Sequence, residues 1–253
     1  MITLENFNFI VIAWMAMAVV LVPVMLFVTA PYGRHTTTSW GPMIKNNLGW
    51  FVMEVPSLLI FSWFIIEGKA YTDVVISVAS ILWISHYFHR SIIFPFRLKT
   101  KGKKMPVLIM SFAVIFNAIN AGLNGYWFAY LSPGYDKSWL TDPRFIIGIF
   151  LFVLGFIINQ YHDRILLKLR KTRRNGYKIP YGGLFKYVSC PNFFGEIIEW
   201  TGFVLVAWNL PALSFLVWTM SNLIPRAISH HKWYKSHFKE YPKKRKSIFP
   251  GIL

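Results

Sequence analysis

Long apolar runs, broken at intervals by short polar stretches, dominate the chain. Crossing a bilayer takes about 20 mostly apolar residues. Seven segments reach or approach that length: 8–29, 48–66, 73–96, 106–131, 145–163, 193–208 and 211–230. The first has Glu5 ahead of it, no basic leader and no small-residue cleavage site, so it reads as a retained helix and not a signal peptide. Only Asn209 and Leu210 separate the last two, and Pro211 opens the second of them. That spacing predicts a tight helical hairpin, although a re-entrant pair would read alike. The pattern as a whole predicts an all-α polytopic membrane protein, a seven-transmembrane-helix bundle. No internal repeat is present, so residues 1–253 are expected to form a single domain.

Composition narrows the class. The chain has 253 residues, 55% hydrophobic and 15% charged, with a mean hydropathy of +0.44. Soluble domains carry roughly a quarter charged residues, so a cytosolic enzyme or a disordered chain is excluded. A net charge of +17 would suit nucleic acid, but the apolar runs are too long for a soluble nucleic-acid module. No nucleic-acid partner is expected. The single cysteine, Cys190, excludes an internal disulfide and any multi-cysteine metal site.

The basic residues orient the spans. With the N-terminus outside, 23 of the 27 Lys and Arg fall on inner segments, only Lys69, Lys137 and Arg144 fall outside, and Arg90 lies within a span. The positive-inside rule therefore predicts an outer N-terminus and a cytoplasmic C-terminus. Attraction to anionic lipid accounts for much of the inner charge, as at Lys243, Lys244, Arg245 and Lys246.

It does not account for polar residues inside the spans, where an unpaired ionisable group is costly and marks function by default. Glu54 interrupts WFVMEVPSLL (50–59), and His86, Tyr87, His89 and Arg90 interrupt SHYFHR (85–90). Asn117, Asn120 and Asn124 share the fourth span. Helical spacing gathers others onto stripes: Asn159, Asp163 and Arg170; Asn192, Glu196 and Glu199; Arg226, His230 and Tyr234. At 1.5 Å per residue, Glu54 lies about 9 Å and Tyr87 about 14 Å from the inner ends of their spans. Interhelical hydrogen bonding explains one such residue well. A polar cavity opening to the cytoplasm explains the set.

Several chemistries are absent: there is no GxGxxG, GxxxxGK, GxSxG or HExxH, and Gly182-Gly183 alone is a weak signal. His86, His89, His230 and His231 lack a recognised ligand spacing and sit beside arginines, so no metal is expected. Arg, Asn, Tyr and His near the inner face suit phosphate groups, which guanidinium forks bind bidentately. A paired Glu54 and Tyr87 deeper in suits a substrate carbonyl oxygen. Phosphate at the mouth with a carbonyl donor inside is the layout that hydride transfer from a nicotinamide cofactor requires.

These motifs resemble the steroid 5-alpha-reductases (3-oxo-5-alpha-steroid 4-dehydrogenases), over roughly residues 30–253. The resembling elements are MEVPSL (53–58), HYFHR (86–90), TDPRFIIG (141–148), Asn159–Asp163 with ILLKLR (165–170), GYKIPYGGLFKYVS (176–189), NFFGEIIEW (192–200), RAISHHKWY (226–234) and KEYPKKRK (239–246). The resemblance implies NADPH as cofactor and a lipidic Δ4-3-ketosteroid as substrate, reduced by hydride delivery to C5. It implies catalytic roles for Glu54, which orients the 3-oxo group, and Tyr87, which polarises it. Arg90, Asn159, Asp163, Arg170, Tyr177, Asn192, Glu196, Arg226, His230 and Tyr234 would line the NADPH site, and Asn120 is counted with them. Glu196 is preferred over Glu199 for the cofactor. Residues 1–131 would serve mainly the substrate and 132–253 mainly the cofactor. Met53 stands where mammalian relatives usually carry Gln.

The rival readings are a reductase of another lipid enone or enoyl substrate (a polyprenal, a sterol or an enoyl-CoA), a membrane S-adenosylmethionine-dependent methyltransferase, and a non-catalytic lipid-binding protein. Membrane lipid is an expected neighbour, and no obligate protein partner is evident. Compact tails favour a bacterial inner membrane, with the endoplasmic reticulum membrane the eukaryotic counterpart.

Overall fold

The computed structural model describes residues 2–98, 102–171 and 177–253, with the backbone alone for Arg170 and Lys171. Helices cover every predicted apolar run: α1 (Leu4–Phe27), α2 (Asn46–Glu67), α3 (Val74–Phe88), the single turn α4 (Phe94–Arg97), α5 (Val107–Tyr126), α6 (Pro143–Lys171), α7 (Pro191–Ala207) and α8 (Leu210–His237). Wide π turns at His89–Ile93 and Trp127–Leu131 carry the third and fourth runs to their ends. Helices α6 and α8 outrun the predicted segments and reach past the apolar zone. Among the described residues, Leu4–Phe27, Asn46–Glu67, Val107–Leu131 and Pro143–Leu169 are long and apolar enough to cross a membrane.

Local chemistry sets the helix ends. Thr3 accepts from Asn6 N–H at 3.3 Å to start α1, and Asp73 accepts from Val75 and Ile76 N–H to start α3. The other oxygen of Asp73 takes Tyr135 N–H at 2.8 Å, tying the loop after α5 to α3. The hairpin turns at Trp208, whose φ of 43° is left-handed, and Asn209 caps α8 by accepting from Ala212 N–H at 2.9 Å. Tyr135 O–H and Trp139 N–H donate to the Ala207 and Val206 carbonyls, meeting acceptors the end of α7 leaves open.

The core is aromatic. Trp83, Phe61, Trp200, Phe203 and Phe215 are buried and pack ring to ring across α2, α3, α7 and α8. The outer surface is apolar as well: Phe9 and Val20 are 72% exposed, and Phe27 is 89% exposed. An apolar surface of that kind belongs in lipid, and the protein is a membrane protein. One short antiparallel pair that the sequence pattern did not predict, β1 (Met43–Lys45) with β2 (Lys104–Pro106), ties together the loops before α2 and α5.

Candidate active site

A cavity of about 410 Å³ opens among α2, α3, α5, α6, α7, α8 and the 32–34 loop. Its centre is Arg90, aimed inward from the π turn. Arg90 Nη2 is 3.8 Å from Glu54 Oε1 on α2, and Nη1 is 3.5 Å from Asp163 Oδ2 on α6. The guanidinium lies 5.1 Å from the Trp50 ring and 4.9 Å from Phe94, both cation–π distances. A further layer of hydrogen bonds holds the acids. Asn192 donates to Asp163 Oδ1 at 3.0 Å, and Asn159 donates to Glu196 Oε2 and to the Asn192 carbonyl, each at 3.0 Å. Thus two stripes read from helical spacing, on α6 and α7, interlock.

The inner end differs in character. Tyr87, Glu54 and Met53 face Phe116, Phe215 and Leu223. Asn117 on α5 donates to the Met53 carbonyl at 2.6 Å and so fixes the turn that carries Glu54. Glu54 and Tyr87 share this space without a direct hydrogen bond among the described residues; Glu54 is turned to Arg90 instead. The sequence expectation of a bonded pair is corrected to that extent. Two groups that flank a gap can both meet a third atom placed there.

The mouth is cationic and built from a segment that sequence reasoning passed over. The stripe on α8 clasps the loop after α1. Arg226 donates to the carbonyls of Ala30 and Tyr32, each at 3.0 Å, with its guanidinium 3.4 Å from the Tyr32 ring. His230 Nδ1 is 3.0 Å from His35 Nε2, with the rings stacked. Tyr234 accepts from Arg34 Nη2 at 3.1 Å. Burial and the guanidinium groups of Arg226 and Arg34 hold His35 down at about 4. Tyr177 accepts from Lys103 Nζ at 2.9 Å and lies under Arg34.

Ten of the thirteen expected site residues line this one cavity: Glu54, Tyr87, Arg90, Asp163, Tyr177, Asn192, Glu196, Arg226, His230 and Tyr234. Asn159 stands directly behind it. Asn120 is elsewhere, accepting from Trp14 Nε1 at 3.2 Å and donating to the Phe116 carbonyl at 2.7 Å, an interhelical tie between α1 and α5. The Arg170 side chain, and the 172–176 stretch that follows it, lie outside the described residues. Glu196 lines the cavity while Glu199 does not: Glu199 Oε1 is bonded to His86 Nδ1 at 2.7 Å. Missed by the sequence reading were Tyr32, Arg34, His35 and Trp50. The signal was there, in the PYGRH run (31–35) that leaves the first helix. Among the described residues, no group of three or more His, Cys, Asp or Glu could hold a metal.

Fold and site together define a membrane protein whose cavity has a cationic mouth and a more apolar interior. Comparison with known proteins carries this further. The family model described as 3-oxo-5-alpha-steroid 4-dehydrogenase matches residues 103–253. The steroid 5-alpha-reductase DET2 of Solanum lycopersicum is 41% identical over 253 residues, covering 98% of each chain. The DET2 protein of Arabidopsis thaliana is 41% identical over 237 residues, 89% of this chain and 88% of its own. The 3-oxo-5-alpha-steroid 4-dehydrogenase 1 of Homo sapiens is 38% identical over 224 residues, 88% of this chain and 86% of its own. The chain belongs to the 3-oxo-5-alpha-steroid 4-dehydrogenase family, and it is an oxidoreductase. Membership sets the methyltransferase and non-catalytic readings aside.

Proposed function

We propose that the protein reduces the Δ4 double bond of a 3-oxo-Δ4-steroid with NADPH, by hydride transfer to C5. The observation that carries this is the polarity of the cavity. The three acids that line it, Glu54, Asp163 and Glu196, gather around Arg90, while Arg34, Lys103 and Arg226 crowd the mouth. Arg34 Nη1 is buried there with no hydrogen-bond partner among the described residues. A buried guanidinium N–H without a partner is costly, and a phosphate oxygen is its natural complement.

The residues present fit a dinucleotide phosphate. Arg34, Tyr177, Arg226, His230 and Tyr234 would hold its anionic part; Arg90, Asp163, Asn192 and Glu196 would hold the nicotinamide end, with Asn159 fixing Glu196. Arg170 is assigned to the phosphates from the family motif. When bound, the cofactor supplies the hydride. The chain's own part is orientation, exclusion of water and stabilisation of charge. Tyr87 donates to the 3-oxo oxygen, where negative charge develops as C5 is reduced, and Glu54 orients that oxygen. A donor aimed at the developing charge favours the transition state over the ground state, and so accelerates the step. The apolar wall of Phe116, Phe215 and Leu223 suits the steroid rings.

The same proposal includes seven spans with the N-terminus outside, since that arrangement leaves 23 of the 27 Lys and Arg inside. In a bacterial inner membrane or an endoplasmic reticulum membrane alike, the mouth then faces cytoplasmic NADPH. Residues 1–131 serve mainly the substrate and 132–253 mainly the cofactor. The test is NADPH consumption by detergent-solubilised protein given testosterone or progesterone. A product two mass units heavier is expected; NADPH binding without turnover of either steroid would move the substrate to another lipid enone.

A further inference from the structure

One polar pair at the cavity wall has no part in that scheme. His86 precedes Tyr87 on α3, is 3% exposed and lines the cavity. Its ring centre is 5.0 Å from that of Tyr87. Nδ1 is held by Glu199 Oε1 at 2.7 Å, and Nε2 makes no hydrogen bond among the described residues. Glu199 has no exposed surface, and its Oε2 has no partner among the described residues.

The carboxyl group therefore has a single hydrogen-bond partner among the described residues. A net charge on the pair would be expensive there, so the pair is neutral overall, with one proton shared between Oε1 and Nδ1 and a second on Nε2. The Nε2 proton is the one that faces the cavity. A carboxyl group bonded to one imidazole nitrogen sets which proton the other can give up.

We infer that the His86–Glu199 pair is the acid that protonates the α-carbon of the substrate. The inference rests on the reductase reading above. Tyr87 is committed to the carbonyl oxygen, and the α-carbon is bonded to the carbonyl carbon, so a second donor beside Tyr87 is in the right neighbourhood. The step balances. Hydride supplied at the β-carbon by a nicotinamide, two electrons and one hydrogen, would shift the double-bond pair toward the carbonyl. As the C=O re-forms, a new C–H bond at the α-carbon takes the Nε2 proton. The shared proton passes fully to Nδ1, leaving on the pair one negative charge that the Arg90 guanidinium offsets until a proton taken up from the solvent is returned to Nε2. His86 is catalytic in this scheme, and Glu199 is the positioning residue behind it.

The reverse half of the step needs no cofactor. A saturated 3-ketosteroid bound in the site should exchange hydrogen at C4 with D2O, through the enol that Tyr87 stabilises. Exchange is followed by mass spectrometry and proton NMR on the full detergent-solubilised chain with no nicotinamide present. Wild-type protein is expected to exchange well above the buffer rate. Glu199→Gln keeps a hydrogen-bonding group of the same shape at Nδ1 but cannot pass a proton. It should slow exchange about 100-fold while leaving the thermal shifts given by steroid and by NADPH. His86→Ala should lose exchange, and added imidazole should restore part of it. Glu199→Gln exchanging at the wild-type rate would overturn the inference. So would a wild-type protein that reduces steroid but shows no C4 exchange. Absence of both steroid binding and reduction in wild type would instead remove the substrate reading, and the pair's role with it.

Discussion

Arg34 donates from Nη2 to the Tyr234 hydroxyl at 3.1 Å while its guanidinium lies 4.3 Å over the same ring. The loop after α1 is thereby fixed to the far end of α8, and Nη1 is left as a donor with no partner among the described residues. Stacking on Tyr234 pre-orients the group, so little rotamer entropy is lost when an anion arrives. Arg34→Ala should raise the NADPH dissociation constant about tenfold or more, equivalent to at least 1.4 kcal/mol, with a smaller effect on kcat. Titration calorimetry on wild type and variant measures it, and an unchanged constant would remove Arg34 from the cofactor site.

Tyr87 is 3% exposed and faces the inner cavity beside Glu54. Replacing it with Phe keeps the ring and removes the donor. Loss of one oxyanion donor costs about 10²–10³ in kcat where it has been measured. Tyr87→Phe is expected to fall by that factor on a ketosteroid, with NADPH binding almost unaltered. Equal loss of cofactor binding would sink the assigned role.

Much of this was legible in the chain. The seven apolar runs all became helical, with α6 and α8 continuing well past theirs, because a segment facing lipid must satisfy its backbone internally. The stripes held in part: Asn192, Glu196 and Asp163 meet because residues at i and i+4 share a helix face, while Glu199 turns to His86 and the Arg170 side chain lies outside the described residues. Partners across elements were not legible. Helical spacing groups Arg226, His230 and Tyr234, yet nothing in it says that they grip residues 30–35, some 200 positions away. Asn120 shows the reverse failure. An Asn in an apolar run reads the same whether it lines a cavity or, as here, satisfies Trp14. The Glu54–Arg90 contact in place of a Glu54–Tyr87 bond has the same origin, since side-chain direction at a π turn is not written in a helical period.

His35 makes the mouth sensitive to acid. Its folded pKa of about 4 lies below the ordinary histidine value of 6.5, through burial and then repulsion from Arg226 and Arg34. The unfolded chain thus binds more protons between those two values, and stability must rise with pH across that window. The contribution is complete above about pH 6.5 and is lost as pH falls toward 4. His35→Asn has nothing to protonate at that position. The wild-type advantage in melting temperature over His35→Asn should therefore shrink from pH 7 to pH 4.5. A constant difference across that range would show that His35 does not titrate between the two states.

Four glycines set the distance between α6 and α7, and with it the geometry of the site. Gly148 and Gly155 on one helix face Gly195 and Gly202 on the other, each pair seven residues apart. A Cβ on Gly195 would stand 2.6 Å from Asn159 N, and one on Gly148 would stand 2.8 Å from the Gly202 carbonyl. A Cβ on Gly155 would run into the backbone of Glu199, and one on Gly202 into that of Phe152. Neither helix backbone has room to yield without the other moving. Small residues of this kind let membrane helices approach closely, and here the approach carries Asn159 to Glu196 and Asn192 to Asp163. Gly155→Ala should destabilise the protein by ~1–3 kcal/mol, the range for overpacking, and should impair the site even where the protein still folds. Gly122 on α5 provides the control, since a Cβ there meets nothing within 4 Å. Gly122→Ala should be neutral or stabilise by up to about 1 kcal/mol, through better helix propensity alone. Thermal melting of the two variants in the same detergent decides the matter: similar melting temperatures would mean that the glycine contact does not set the helix spacing.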